Sequence, residues 1–358
     1  MVRVRVMRRA SVPKSLLPLP SPAFSHSHRV AAVVTEDGKY CKVLLGSGAH
    51  LYHLKVELQE HTIVEGKEKL LIPEDAHVFD ASWLDHCPHR AEIQSVAVSV
   101  SRNDGEVLVG SVDSYGRLVV CLDDVDNGAP LYTAHPRDGG IGEGGWAGLA
   151  FSLDQPSLVV VARGLAKSVD LYDGDINVRT LRTLQHPSAL TFLSGPYFGS
   201  SSSSTIAVAE GSQISIWDLR ASEKGGFVQR ILGAYSGGSL YAVCSSPTGL
   251  LATGGAERTV LVFDPLKWSA LSRWTGCTKY EISGLAFSSL DPDLIYVHGL
   301  DYEVICGRWI QSSEGDMGRC FGFRGDSRWL GVDKCMGSDV LAGWSESGSL
   351  FVSEVVAS

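Results

Sequence analysis

The 358-residue sequence lacks several things, and each absence removes a class of protein. It has no run of about 18 apolar residues, so no segment reads as a helix that crosses a bilayer. It has no C-x-x-C pair. Cys41, Cys87, Cys121, Cys244, Cys277, Cys306, Cys320 and Cys335 are scattered, some inside apolar stretches such as Leu118–Leu122. That is how thiols are used as small buried hydrophobes in a reducing compartment, and it predicts a nuclear or cytoplasmic protein. None of the three asparagines opens an N-x-S/T acceptor, in agreement. Positive charge is in deficit, with a net charge of −9, which disfavours nonspecific binding to nucleic acid through phosphate neutralisation. No nucleophile elbow, no H-E-x-x-H and no pair of acids set apart from polar turns is present, so the sequence asks for neither catalysis nor a cofactor.

Three short strings imitate functional motifs. Asp85-His-Cys-Pro-His89 offers two histidines and a cysteine but has no second cluster at finger-like spacing, so it reads as a loop and no metal is expected. Gly140-Ile-Gly-Glu-Gly-Gly145 matches a dinucleotide fingerprint, yet a β pattern follows at Trp146 where a helix would have to cradle the pyrophosphate. Arg324-Gly-Asp326 reads as a turn.

What the sequence has is repetition. Ser204–Gly211 and Gln213–Arg220 form a predicted hairpin turned at Glu210-Gly-Ser212, and Leu250–Glu257 followed by Arg258–Pro265 repeats it. A polar or aromatic residue closes each copy: Asp123, Asp173, Asp218, Asp264, then Trp309 and Glu354, at intervals of 50, 45, 46, 45 and 45 residues. That period belongs to four-stranded propeller blades. Seven copies are predicted within 29–358 as one domain, because a blade cannot bury its faces without its neighbours. The first copy takes 29–34, 41–46 and 50–57, with Lys69–Ile72 as outer strand, and His77 opens the second. In that second copy Val78–Trp83 and Ser95–Ser101 both have strand character, and pattern alone does not choose between them.

The last copy ends three strands into a four-strand blade. Residues 1–28 are basic, with Arg3, Arg5, Arg8, Arg9 and Lys14 and no acid, which is also the look of a transit peptide. Val2–Met7, however, alternates at period two. Since an open outer edge is an aggregation hazard and a ring must join its ends, this segment is expected to complete the last blade.

With Trp217 and Asp218 in Ser-Ile-Trp-Asp, and the matching Asp positions above, the chain resembles the WD-repeat β-propeller family. The resemblance implies an all-β, single seven-bladed propeller. It also implies a noncatalytic platform, an adaptor or scaffold subunit that binds other proteins through its loops. The alternatives are a reader of a modified peptide such as a histone tail, or an enzyme with a site in the central channel. By the same resemblance His77, His135 and His186 take the place of the histidine that buttresses each blade against a turn acid, with Asp113 and Glu210 as matching acids. Tyr115, Trp146, Tyr235, Arg258, Tyr302 and Trp329 become the candidate partner-binding residues, Arg258 and Trp329 being expected at an exposed face.

Overall fold

The computed structural model describes residues 2–12, 28–58, 64–84, 89–100, 105–123, 130–136, 145–195, 204–310 and 318–357. Seven antiparallel sheets follow one another along the chain, each four strands deep, and the last is extended to five. Buried apolar side chains fall into seven clusters, and each lies between two consecutive blades, including one between the seventh and the first. A core divided this way closes on itself, so the protein is a seven-bladed β-propeller.

The fourth blade shows why the sequence folds so. Pro187–Phe192, Thr205–Glu210, Gln213–Asp218 and Phe227–Leu232 run from the channel outward. The second strand is buried throughout, as a strand covered on both faces must be, and it carries Ile206, Ala207, Val208 and Ala209. The outer strand has no fully buried residue, and Val228 and Leu232 are exposed. At the edge Trp217 packs against Phe227, ring centroids 5.3 Å apart, and its indole N–H donates to Ser215 Oγ at 2.9 Å. The closing acids act locally: Asp218 Oδ1 accepts the Arg220 N–H at 2.9 Å and Asp264 Oδ1 the Leu266 N–H at 2.9 Å, each fixing the turn into the outer strand.

The ring closes as expected, with a longer strand. Val2–Ser11 pairs antiparallel with Ser349–Ala357, and Val6, Met7 and Ala10 are buried. Two expectations around the first blade are corrected. Its outer strand is Val78–Trp83, not Lys69–Ile72, and the second blade opens at Ile93–Val100. Leu71–Ile72 instead pairs with Val64–Glu65, and Glu74–Ala76 runs parallel to Arg8–Ala10 as the fifth strand of the seventh blade. An excursion from the first blade thus crosses the closing strand and reaches the sixth blade, where Lys69 Nζ donates to the Arg319 carbonyl at 3.4 Å. Lys69–Ile72 has the composition of a strand, but its pairing partner is set by this crossing, which no local pattern encodes.

Candidate functional site

Because successive strands reverse, the loops that follow the second and fourth strand of every blade emerge on one face of the ring. Tyr115, Trp146, Tyr235, Arg258, Tyr302 and Trp329 all belong to such loops or their edges, so the structure brings their positions to a single face. Here an acid clamps neighbouring loops. Asp113 Oδ1 accepts the N–H groups of Tyr115 and Arg117, both at 3.0 Å. Glu210 Oε2 accepts from Gln185 N at 2.7 Å, and Glu303 Oε2 from Lys279 N at 3.1 Å. Glu257 accepts from the backbone of Tyr235, Ser236 and Gly238 at 2.9, 2.7 and 2.8 Å. Burial alone would raise the Glu257 pKa, but these N–H donors and the Ser236 hydroxyl outweigh it and hold the carboxyl below its usual range. In the seventh blade the arrangement is reversed: Asp326, in the loop before the blade, accepts from Ser345 and Ser347 at 2.9 and 2.7 Å and pairs with Arg9 at 2.8 Å.

The clamps present side chains. Tyr115, Leu165, Leu184, Tyr235 and Tyr280 are exposed, Tyr235 to 63%. The Arg273 guanidinium lies 3.6 Å from the centre of the Tyr235 ring. Arg258 is exposed, and its Nη1 donates to the Lys279 carbonyl at 3.2 Å. Its backbone is unusual. In the same turn of the first, second, fourth and seventh blades the left-handed residue is Gly48, Gly116, Gly211 or Gly348, whereas Lys167 (φ 49°) and Arg258 (φ 54°) adopt that conformation in the third and fifth. A residue with a Cβ pays about 1–2 kcal/mol there.

Two candidates stand differently. Trp146 is half-buried, its ring filling the space beside Gly148, where a Cβ would come within 2.5 Å. Tyr302 is half-buried, and its carbonyl accepts from Gly325 N at 2.8 Å. Trp329 is corrected outright. It is 3% exposed and packs edge-on against Phe323 and Phe351 in the core between the sixth and seventh blades, at 6.2 and 5.4 Å.

The histidines also redistribute. His77 is exposed and precedes the outer strand of the first blade, so it does not open the second. The histidine that meets Asp113 is His89: both are buried, with Nδ1 3.2 Å from Asp113 Oδ2 and Nε2 2.7 Å from Ser111 Oγ. His89 belongs to the string read as a loop, whose residues 85–88 lie outside the described residues, as do 140–144 of the glycine string. His135 has an exposed imidazole, and its carbonyl accepts the Tyr172 hydroxyl at 3.2 Å. His186 Nδ1 lies 2.8 Å from the Gly164 carbonyl. In the third blade Arg163 takes over, pairing at 2.8 Å with Asp170, both buried. Asp123 pairs with Lys42 at 2.5 Å, Asp173 is exposed, and Trp309 Nε1 donates to the Pro292 carbonyl at 2.8 Å.

A cavity of about 50 Å³ lies in the channel, lined by Ser95, Trp146, Ser188, Tyr241 and Ser283 with His28. His298, in the wall, has its pKa lowered to about 3, by burial and then by the nearby His28, and its Nδ1 lies 3.0 Å from Ser283 Oγ. Among the described residues no group of three or more His, Cys, Asp or Glu side chains is gathered as a metal site, and no helix is long and apolar enough to cross a membrane. No family model matches the chain, and no curated protein matches it.

Proposed function

We propose that the protein is a noncatalytic interaction platform, a WD-repeat-like adaptor or scaffold subunit of a nuclear or cytoplasmic complex, that docks other proteins on the face formed by the acid-clamped loops. The observation that carries this reading is Arg258. Exposed, in a conformation that favours glycine, it contributes strain to the fold, and strain of this kind collects at functional positions. On the same face Tyr235, Tyr280, Leu184, Leu165 and Tyr115 are solvent-facing. Loops fixed before binding lose little entropy on binding, and Tyr and Arg are the side chains that anchor interfaces. The cavity beside Trp146, Ser188 and Ser283, at about 50 Å³, is smaller than the about 300–1,000 Å³ of small-molecule sites, which supports the platform reading over an enzyme acting there. Free thiols at Cys41, Cys121, Cys244, Cys277, Cys306, Cys320 and Cys335 support a reducing compartment.

The test is Arg258→Gly beside Tyr235→Ala. Arg258→Gly is expected to leave stability unchanged or raise it by about 1 kcal/mol, because it relieves the left-handed turn. Each substitution is expected to weaken capture of the co-purifying partner by about 2 kcal/mol or more. A gain in melting temperature with partners fully retained would reject this face.

A further inference from the structure

A large cleft lies on the other face of the ring. It has a volume of about 660 Å³ and is set between the first and second blades, where the loops after first and third strands emerge. Its floor is apolar, made by Val33, Val34 and Val107 with the rings of Tyr40 and Phe79, which meet edge-on at 6.4 Å. Phe79 stays 43% exposed, a large aromatic left facing solvent in a concave place.

The charge around this floor is one-sided. Lys55 is bound to Asp80 at 3.0 Å and Lys42 to Asp123 at 2.5 Å, so the cleft's two lysines are already neutralised. Asp37 is held below the usual carboxylate range, first by the Thr35 hydroxyl at 2.6 Å and then by the Lys39 N–H, and it is ionised at neutral pH. Glu36 is exposed beside it, so this turn brings two carboxylates to the cleft against one further cation, Lys39. An apolar floor with the Glu36 and Asp37 carboxylates at its rim matches a cation carried on an apolar stem. Exposed ring faces add to that match, because aromatic quadrupoles attract ammonium and guanidinium groups.

We propose that this cleft receives an extended segment of a partner protein that places a lysine or arginine beside an aliphatic side chain. The cleft and the clamped-loop face lie at opposite ends of the strands. A platform using both would therefore bridge two partners at once, while either site could fail without the other.

A phage-displayed library of random 12-residue peptides, selected on the immobilised full chain, tests this. Enriched sequences should carry Lys or Arg next to Leu, Ile or Val. A synthetic peptide from the winning pool should bind at least about tenfold more weakly to Phe79→Ala and to Glu36→Lys, both exposed changes whose folding a melting curve verifies. Its affinity for Tyr235→Ala and Arg258→Gly should be unchanged. The proposal is overturned if no sequence enriches, if the enriched sequences lack a basic residue, or if binding survives both cleft variants. Loss only in Tyr235→Ala or Arg258→Gly would assign the peptide to the opposite face and leave the platform reading standing.

Discussion

The fourth and fifth blades and the seam from the seventh blade through the first to the second are built by different means. In the fourth and fifth, every strand pairs with its neighbour in sequence, and each outer turn is fixed by an acid a few residues away. At the seam the contacts span the whole chain. Val2–Ser11 pairs with Ser349–Ala357 and is covered on its other edge by Glu74–Ala76. Ala32 N donates to Asp333 Oδ2 at 2.9 Å, and buried Arg29 pairs with Glu92 at 2.9 Å. Local repeats therefore define the blades, and a few long-range contacts decide whether the blades become a ring.

Removing residues 1–11 would break the comparison most severely. It exposes the edge of Ser349–Ala357, strips Met7 and Ala10 from their clusters and leaves Glu74–Ala76 without its strand partner. The loss is expected to be on the order of 5 kcal/mol or more, comparable to the stability of a whole domain. Sedimentation should show aggregation, and a soluble, cooperatively melting truncation would show that the ring does not need this strand.

Next in size are two tryptophans, one from each region. Trp344, fully buried between the seventh and first blades, and Trp217, at the edge of the fourth, should each lose about 3–5 kcal/mol on change to Ala. Trp344 is expected to give the larger loss in urea unfolding. Should Trp217→Ala cost more, closure would be the weaker of the two sources of stability.

The fold was largely legible in the sequence because a blade is a local object. Its strands sit within about 45 residues and each shows its own alternation, so Trp217, Asp218 and Asp264 marked the register. The closing strand was reachable by elimination, since Val2–Met7 was an orphan pattern and the last blade lacked a strand. What stayed hidden depended on distant pairing. Lys69–Ile72 and Val78–Trp83 both read as strands, and only the crossing of Glu74–Ala76 to Arg8–Ala10 separates them. Trp329 begins a strand, where an aromatic is as well suited to a blade interface as to solvent. His89 was obscured by the cysteine and proline around it, although its spacing before Ser111 and Asp113 was a usable signal. At the candidate face the left-handed turns were readable in principle, since Arg258 and Lys167 stand where four other blades carry glycine.

His89→Ala sharpens the contrast inside the second blade. It leaves Asp113 and Ser111 buried without their partner and should cost about 2 kcal/mol, with a larger effect on amide exchange in the Tyr115 turn than elsewhere. Uniform exchange across the ring would show that the trio does not order that loop.

Asp333→Asn is the smallest effect and has the opposite sign. Burial raises the Asp333 carboxyl to about 6, against which the Ala32 N–H bond and Lys334 act only in part. A group that holds its proton more tightly when folded makes the fold lose stability as pH rises from the ordinary carboxyl range through about 6. Because the side chain is only half-buried, solvent screens the charge, and the amide should add about 1–2 kcal/mol at pH 7 while accepting the same N–H bond. Melting curves from pH 4 to 8 should be flatter for Asp333→Asn in that window, and an unchanged slope would remove Asp333 as the source.

The closing strand also sets a clock. Its partner Ser349–Ala357 lies more than 300 residues further along the chain, so Val2–Ser11 is made long before the strand it pairs with. At about 5–20 residues per second, that separation takes roughly 20–70 s to synthesise. Throughout that interval an arginine-bearing strand waits without its ladder. Arg3, Arg5 and Arg9 keep such a strand hydrated and mutually repelled while it waits, as charges do on unpaired edges. After closure, Arg5 meets Glu354 at 3.2 Å and Arg9 meets Asp326, so charges that guarded the nascent chain become ties across the finished ring.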